Sequence, residues 1–352
     1  MRKLNKKRFV TFFIPVLAIL LGLIVGAIIM IISGYDPIVG YTQLWEGIFG
    51  DPYVIGETVR QITPYILSGL AVAFAFKTGL FNIGVEGQLI VGWFAAVWVG
   101  LSFELPAVIH IPLAVLAAGI AGSLWAFIPG ILKARLGVNE VVVTIMLNYV
   151  ALHVTNALIR GIAGKDTTDR IAETASLRIP FFEEITMYSR MHGGIFIAII
   201  AVIIIYFILQ KTKLGYELKS VGFNQDASKY AGMNVSRNIV ISMVISGFLA
   251  GLAGAMEGLG TFEYAATKTG TTGIGFDGIA VAVLGANHPI GVVFGAILFG
   301  GLKYGSLNMP NPPAQIPSEM ITVIIAIIIF FVASGYLFQW LYEKFSKKKG
   351  VK

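Results

Sequence analysis

The amino-acid sequence predicts an all-α polytopic membrane protein with about ten transmembrane helices, some of them short or broken. Three observations lead to this fold class. Of the 352 residues 56% are hydrophobic, and the mean hydropathy is +0.81. Charged residues make up 13%, about half of the roughly 25% that a soluble domain carries. Apolar stretches of about 20 residues, the length that a membrane helix needs, recur along the chain. This composition excludes soluble multidomain, disordered and nucleic-acid-binding proteins.

Eight stretches are each apolar enough to be one span. The first follows a basic segment, as the apolar core of a signal peptide does. Its run of 24 residues is too long for such a core, and no small-x-small cleavage site follows, so we predict an uncleaved helix. The predicted spans are Phe9–Ile32, Ile62–Phe76, Ile83–Leu101, Ala107–Leu132, Val138–Ile159, Gly193–Leu209, Asn238–Gly258 and Ile316–Trp340.

The remaining apolar stretch, Gly278–Leu302, is interrupted by Asn287, His288 and Pro289. Counting it once would put the two strongly basic termini on opposite sides of the membrane, against the positive-inside rule. Counting two short spans, Ile274–Ala286 and Pro289–Lys303, gives ten helices and two cytoplasmic termini. In that topology 18 of the 26 lysines and arginines lie inside, so the net charge of +7 is mostly a topology signal.

Two long loops connect the predicted spans. The loop Gly161–His192, predicted to be external, carries both signs of charge and is equally compatible with docking an external partner and with plain solvation. The loop 210–237 is predicted to be cytoplasmic. Within it, Asn224–Ala231 is compatible with a helix, with Asn224 as N-cap and Gly232 as the residue that ends it.

A short internal repeat links two distant parts of the chain. Asn82–Gly87 (Asn-Ile-Gly-Val-Glu-Gly) resembles Gly273–Gly278 (Gly-Ile-Gly-Phe-Asp-Gly) at a constant offset of 191 residues. Because the two copies enter the membrane from opposite sides in the ten-span topology, we predict an inverted repeat, with the transport pathway between the halves. Chance similarity in a glycine-rich chain is the alternative.

Polar residues within the apolar stretches are the candidate pathway residues: Asn82, Glu86, Asn148, Asn156 and Asp277. The alternative is hydrogen bonding between helices without any substrate contact. For Glu86 and Asp277 we favour carboxylates that bond backbone N–H groups where helices break, with Lys77 as a second possible partner of Glu86. Asn148 and Asn156 are eight residues apart and lie on nearly the same helix face.

Catalytic and metal sites are not expected. The chain has no cysteine, and its four histidines are dispersed. The Gly273-x-Gly275-x-x-Gly278 pattern lies in membrane-embedded sequence, where the dinucleotide motif has no meaning. No G-x-x-x-x-G-K-[ST] motif occurs, so we predict no ATPase site on this chain.

Within the loop 210–237 the run Leu218-Lys219-Ser220-Val221-Gly222 is followed by Asn224, Ala227-Ser228 and Gly232-Met233-Asn234. With this pattern the loop resembles that of the permease subunits of bacterial ABC importers in the branched-chain amino acid/ribose/nucleoside superfamily. Ser246–Gly254 and the spans near Gly79–Gln88 and Gly278–Gly291 are also similar, and the resemblance covers about residues 60–340. Phe81–Gln88 (Phe-Asn-Ile-Gly-Val-Glu-Gly-Gln) is close to the nucleoside branch, whose partner is a BmpA-like lipoprotein. The loop matches the family pattern at Gly215, Leu218, Lys219, Ser220, Val221, Gly222, Asn224, Ala227, Ser228, Gly232, Met233 and Asn234.

The resemblance implies one transmembrane permease domain over 1–352, in a bacterial plasma membrane, that is not an enzyme and has no cofactor of its own. ATP would be bound by partner ATPase subunits that engage Phe223–Gly232. The implied partners also include a second permease, identical or similar, and an external lipoprotein that delivers a nucleoside. A permease for a sugar such as ribose or for branched-chain amino acids, or an ion-coupled carrier, is the alternative. The implied coupling residues are Phe223, Asn224, Ala227, Ser228, Ala231 and Gly232.

Overall fold

The computed structural model describes residues 19–334, and all regular elements in that range are helical. Two isolated β-bridges, Thr167 to Ala266 and Arg178 to His192, are the only β-pairing among these residues. A π-helix over Met256–Thr261 extends α11, and 3-10 turns form at Glu173–Ala175 and Ser306–Asn308. The α-helices are α1 (Ile19–Ile32 as described), α2 (Pro37–Phe49), α3 (Pro52–Lys77), α4 (Val85–Ser102), α5 (Ala107–Leu136), α6 (Glu140–Ala163), α7 (Pro180–Ile185), α8 (Gly194–Lys211), α9 (Lys213–Phe223), α10 (Gln225–Tyr230), α11 (Val235–Ala255), α12 (Ile274–Leu284), α13 (Pro289–Gly305) and α14 (Ser318–Ala333).

Within 19–334, seven helices are long and apolar enough to cross a membrane: α3, α4, α5, α6, α8, α11 with its π-helix, and α13 with its 3-10 turn. The described part of α1, together with α12 and α14, adds three shorter apolar helices. The predicted fold class is therefore confirmed. The predicted ends of the first and last spans, at Phe9 and Trp340, lie outside the described residues.

The break in the apolar stretch after Gly278 is confirmed. Helix α12 ends at Leu284 and α13 begins at Pro289, the residue expected to start the second span. The backbones of the two helices touch at the turn, since a Cβ on Gly285 would lie 2.4 Å from the Val292 nitrogen. The short spans are therefore two arms of one helical hairpin.

Two helical segments escaped the sequence prediction. Helix α2 was not predicted, and α3 begins at Pro52, ten residues before the predicted start at Ile62. The additional turns of α3 contain Glu57 and Arg60, which resemble a solvated helix end in sequence. Both are instead buried and form an ion pair of 2.8 Å.

The described residues form parts of two compact units, Met1–Asp51 with Gly301–Lys352 and Pro52–Gly300. In the first unit α2 packs closely on the end of α13, because a Cβ on Gly47 would lie 2.3 Å from the Gly305 carbonyl oxygen. The Tyr41 hydroxyl donates to the Leu23 carbonyl at 2.5 Å and joins α2 to α1.

The second unit is built on close contacts between small residues of α4, α5 and α11. A Cβ on Gly251 would lie 2.1 Å from the Ala118 carbonyl oxygen, and one on Gly254 would lie 2.1 Å from that of Leu89. The backbones therefore touch, as expected from the Gly-x-x-x-Gly spacing. Helix α11 runs parallel to α4, since Gly254 contacts Leu89 and Gly258 contacts Trp93. It runs antiparallel to α5, where Gly251 contacts Ala118 and Met243 contacts Gly130, and antiparallel to α3, where Ser246 contacts Ala71 and Met243 packs with Ala75.

Candidate functional site

Two helix N-termini meet inside the second unit, and the Glu86 carboxylate lies between them. Glu86 is fully buried in the first turn of α4. Its Oε2 accepts from the Gly275 N–H at 2.8 Å, and its Oε1 accepts from Gly273 N–H at 3.1 Å. The Thr272 hydroxyl donates to Oε1 at 2.7 Å, and the Thr272 N–H donates to the same oxygen. A negative group here complements the positive ends of two helix dipoles.

We call 82–87 together with 272–278 the helix junction. It brings the two copies of the predicted repeat into contact, because a Cβ on Gly275 would lie 2.4 Å from the Glu86 nitrogen. Helix α12 runs alongside α3 in the same direction, with Gly278 at Ser68 and Val281 at Gly69. Since α4 runs against α3, the two repeat helices leave the junction in opposite directions, as an inverted repeat requires.

The non-helical residues before α4 are held by two asparagines. Asn148 donates to the Ile83 carbonyl at 3.0 Å and accepts from the Gly87 N–H at 2.9 Å. Asn82 accepts from the Gly84 N–H at 3.0 Å and donates to the Ser246 hydroxyl at 2.9 Å. Both amides are buried, and they satisfy backbone groups that a break in a membrane helix leaves open.

The other two candidate residues, Asn156 and Asp277, form hydrogen bonds with groups outside the segment before α4. Asn156 donates to the Lys268 carbonyl at 2.8 Å and accepts from the Lys268 N–H at 2.9 Å. The Tyr65 hydroxyl donates to Asp277 Oδ2 at 3.0 Å, and Asp277 remains partly exposed. Asn148 and Asn156 therefore use one face of α6 to hold two non-helical segments, as their spacing predicted.

Lys77, the second possible partner of Glu86, forms no ion pair with it among the described residues. Backbone N–H groups and the Thr272 hydroxyl take both carboxylate oxygens instead. Sequence reasoning also missed Trp93 and Lys268, whose Nζ lies 3.7 Å from the Trp93 ring centroid. A lysine close to apolar sequence was the signal that Lys268 has a partner. Because Trp93 is distant in sequence, that partner could not be identified.

The loop predicted to be cytoplasmic contains the expected helix. The Asn224 side chain caps α10 by accepting from the Ala227 N–H at 2.8 Å, and Gly232 ends the turn with φ of +81°. Phe223 and Tyr230 project outward and are 91% and 93% exposed. Ser228 is buried and donates to the Asn224 carbonyl at 2.8 Å, so its hydroxyl stabilises α10 from within.

The remaining predicted coupling residues, Asn224, Ala227, Ala231 and Gly232, are exposed with Phe223 on this loop. The loop is anchored to the end of α3, since a Cβ on Gly222 would lie 2.3 Å from the Lys77 carbonyl oxygen. The loop therefore presents two exposed aromatic rings and is attached to a spanning helix. A partner that binds these rings and moves can displace α3.

The segment between α6 and α8, residues 164–193, folds back onto the helices as a cap. The buried Glu263 carboxylate binds Arg170, accepts from the Ser176 hydroxyl at 2.6 Å and lies 3.5 Å from Arg178. The buried Glu57 carboxylate binds Arg190 at 3.0 Å. The sequence left open whether this loop is simply solvated or docks an external partner. In the structure its inner side packs on the helices through Glu57 and Glu263.

His192 ends this cap and is almost completely buried. Its Nδ1 accepts from the Gly194 N–H at 3.1 Å, so the ring is neutral with its proton on Nε2. Burial, together with the nearby guanidinium groups of Arg60 and Arg178, lowers the pKa of the His192 imidazole to about 3. The imidazole is therefore a neutral packing group at physiological pH.

The sequence of this chain matches a known protein family. Residues 54–334 match the family model described as branched-chain amino acid transport system / permease component. The guanosine ABC transporter permease protein NupP of Bacillus subtilis is 61% identical, over 97% of this chain and 99% of its own length. No solved structure matches the chain.

Two further relatives differ in the substrate that they are named for. The nucleoside ABC transporter permease protein NupB of Lactococcus lactis is 42% identical, over 99% of both chains. A glucose ABC transporter permease protein of Haloferax volcanii is 32% identical, over 92% of this chain and 88% of its own length.

Proposed function

Since this chain belongs to the branched-chain amino acid transport system / permease component family, we propose that it is the membrane-spanning permease subunit of an ATP-driven nucleoside importer. The observation that carries the substrate class is the similarity to two permeases named for guanosine and for nucleosides, over nearly the full length of all three chains. The glucose permease is less similar, which favours a nucleoside over a sugar.

The chain performs no covalent chemistry in this proposal. Partner ATPase subunits bind ATP and engage Phe223–Gly232, where Phe223 and Tyr230 are exposed for contact. An external lipoprotein delivers the nucleoside, and a second permease, identical or similar, completes the path. The chain changes shape between two states that differ in their affinity for substrate.

Asn82, Glu86, Asn148, Asn156 and Asp277 remain candidate pathway residues. Asn82, Glu86, Asn148 and Asn156 form hydrogen bonds to backbone groups or to neighbouring side chains. These bonds favour a structural role, in which the four residues fix the position of the non-helical segments that border the path. Asn156 and Asp277 are partly exposed, whereas Asn82, Glu86 and Asn148 are buried, so the first two are the candidates for direct contact with substrate.

The test is uptake of labelled guanosine, uridine, ribose, glucose and leucine by cells with and without this chain. We expect loss of the chain to abolish nucleoside uptake and a plasmid copy to restore it. Uptake of ribose, glucose or leucine that depends on the chain, with unchanged guanosine and uridine uptake, would overturn the proposed substrate.

A second experiment addresses the energy source. Removing the partner ATPase should stop nucleoside uptake while this chain remains in the membrane at its normal level. Uptake that survives without the ATPase would show an ion-coupled carrier instead. Nucleoside uptake by cells that lack the lipoprotein shows whether import depends on its delivery of the nucleoside.

A further inference from the structure

The segment Phe262–Gly273 runs beside α4 without helical structure. The Trp93 Nε1–H donates to the Tyr264 carbonyl at 3.0 Å, in the middle of α4. Further along, the Gly273 N–H donates to Glu86, at the start of α4. The segment therefore lies at the depth of a helix that is apolar along its length and long enough to cross a membrane.

Such backbone at membrane depth does not face lipid, because its N–H and C=O groups require partners that hydrocarbon lacks. It is found where protein covers it or where it borders a water-filled cavity. Side chains along this segment alternate: Glu263 and Ala265 are buried, whereas Phe262 and Tyr264 are each 37% exposed. The cap over 164–193 covers this backbone, because the Ile171 N–H donates to the Glu263 carbonyl at 2.9 Å and the Thr168 N–H donates to the Ala265 carbonyl at 2.8 Å. The rings of Phe262 and Tyr264 remain partly exposed beside it.

The rings belong to an ordered aromatic cluster. Phe262 stacks on Trp93 with ring centroids 5.1 Å apart and 21° between the planes. Tyr264 meets Phe262 edge to face at 6.1 Å. Trp93 is buried beneath them, and the Lys268 ammonium lies against its ring. This support fixes the positions of Phe262 and Tyr264, so that they present a rigid aromatic surface.

Nearby hydrogen-bonding side chains are already occupied. The Glu263 carboxylate binds Arg170 and Ser176, and the Asn156 amide binds the backbone of Lys268. Sugar recognition by carboxylate or amide side chains is therefore not offered at this surface. What remains is the aromatic face, which suits a planar ligand.

We propose that Phe262 and Tyr264 form a base-stacking subsite on the translocation path that takes the nucleobase of the transported nucleoside. The proposal rests on the nucleoside specificity proposed above and adds the group that is recognised. Stacking of a base on an aromatic side chain is sequence-tolerant because every base has a π-face. A purine offers a larger face than a pyrimidine, so the subsite favours purine nucleosides.

The first experiment compares Tyr264→Phe, which keeps the ring, with Tyr264→Leu, which keeps apolar bulk without a π-face. Guanosine and uridine uptake are measured in cells with the complete importer. We expect Tyr264→Leu to lower guanosine uptake about fivefold or more and to lower the guanosine-to-uridine ratio. Tyr264→Phe should retain both, and Tyr149→Leu, on the outer surface of α6, is the matched control.

The ratio does not depend on the amount of folded protein, because both substrates are measured on the same cells. An unchanged ratio in Tyr264→Leu would overturn the subsite while leaving nucleoside import in place. Wild-type cells that import neither nucleoside would instead overturn the proposed function. Equal loss of both uptakes with loss of permease pairing would show that the second permease covers these rings.

The second experiment uses the absence of native cysteine from this chain. A water-soluble maleimide should label Phe262→Cys and Tyr264→Cys in membranes, because a wet path surrounds these positions. Tyr149→Cys, facing outward on a spanning helix, should stay unlabelled. Failure to label both Phe262→Cys and Tyr264→Cys would show that the rings do not border water, and the subsite would be wrong.

Discussion

The carboxylate of Glu86 is held where the positive ends of two helix dipoles meet. Four hydrogen bonds converge on it, from the N–H groups of Thr272, Gly273 and Gly275 and from the Thr272 hydroxyl. Hydrogen bonds to a charged group each contribute about 1.5–3 kcal/mol to stability. A single side chain thus joins α4 to α12 in surroundings that exclude water.

Replacing this carboxylate by an amide tests its structural role. In Glu86→Gln, an NH₂ group faces backbone N–H donors and at least one accepted bond is lost. We expect destabilisation of about 2 kcal/mol and a melting temperature lower by roughly 3 °C, measured on the purified permease in detergent. Glu104→Gln, at an exposed position, should leave the melting temperature unchanged. Equal melting of wild type and Glu86→Gln would contradict the dipole argument.

The buried imidazole of His192 predicts a pH dependence of stability. Its pKa is lowered to about 3 in the folded protein, from an ordinary value of 6.5. Between these values the unfolded chain binds the proton and the folded chain does not, so stability falls as the pH falls below 6.5. At pH 5.5 the loss is on the order of 1 kcal/mol for this one group.

The measurement is the melting temperature of the purified permease between pH 7.5 and pH 5.5. His192→Gln removes the titrating group, and its melting temperature should change less over this range than that of the wild type. If both proteins respond equally to acid, other groups are responsible for the dependence.

At the level of elements, the cap over 164–193 is attached by carboxylates that the helical bundle buries. Glu57 comes from α3 and Glu263 from the segment after α11, so two separate parts of the bundle hold it. The exposed pair of Lys165 and Asp169 lies within the cap itself. In the two anchoring pairs the carboxylate is buried and the arginine is partly exposed, whereas a pair that is exposed on both sides contributes little to stability.

Removing one buried anchor should loosen the cap. Glu263→Gln removes the carboxylate that Arg170 binds and that lies 3.5 Å from Arg178, so this attachment of the cap is weakened. Trypsin added outside intact spheroplasts should then cleave this segment at least several times faster than in the wild type. Asp169→Asn removes the exposed pair and serves as the control, with unchanged cleavage expected. A cap equally resistant in both variants would show that its anchors lie elsewhere.

The α10 loop provides a test of the proposed ATPase contact. Ala227 is exposed in the first turn of α10, so Ala227→Arg adds bulk and charge without disturbing a buried contact. We expect nucleoside uptake to fall about tenfold, corresponding to roughly 1.4 kcal/mol of lost coupling, at an unchanged membrane level. Gly232 is less suitable, because its positive φ makes any side chain strained.

Co-purification of the ATPase with the permease is the second measurement on the same variant. Leu136→Arg, exposed at the end of α5, adds the same charge outside α10 and should leave uptake and co-purification intact. Normal uptake in Ala227→Arg would place the ATPase contact somewhere other than Phe223–Gly232.

Elements with a local signal were predictable, and elements defined by distant partners were not. Asn287-His288-Pro289 marked the hairpin break because proline lacks the N–H that a helix interior requires. Asn224 and Gly232 marked the ends of α10 for equally local reasons. Glu57 and Arg60 were instead left outside the span predicted to begin at Ile62, because Arg190, which pairs with Glu57, lies 133 residues away.

For the helix junction, the type of hydrogen bond that Glu86 accepts was predictable from the sequence, whereas the residues that donate it were not. A carboxylate next to a glycine-rich helix break indicated that Glu86 would bond backbone N–H groups. The identity of its donors depends on how α4 and α12 pack, and no local pattern contains that information. For the same reason the stacking of Trp93 on Phe262 was absent from the sequence prediction.

At the level of the whole molecule, an even number of spans places both termini on one side. Every span of the ten-span prediction has a helix among the described residues, and the positive-inside rule predicts that both basic termini are cytoplasmic. A reporter fused after Lys352 that is active only in the cytoplasm should therefore be active. The same reporter fused within 164–193 should be inactive, and the reverse pattern would contradict the topology.

The helix junction also constrains how the chain is made. Glu86 and Thr272 are separated by 186 residues, so ribosomal synthesis delivers the carboxylate long before its donors. At roughly 5–20 residues per second the delay is roughly 10–40 seconds. During that time the start of α4 requires temporary partners, such as water, lipid head groups or the insertion machinery. The first half of the protein therefore reaches its final form only after translation has passed α12.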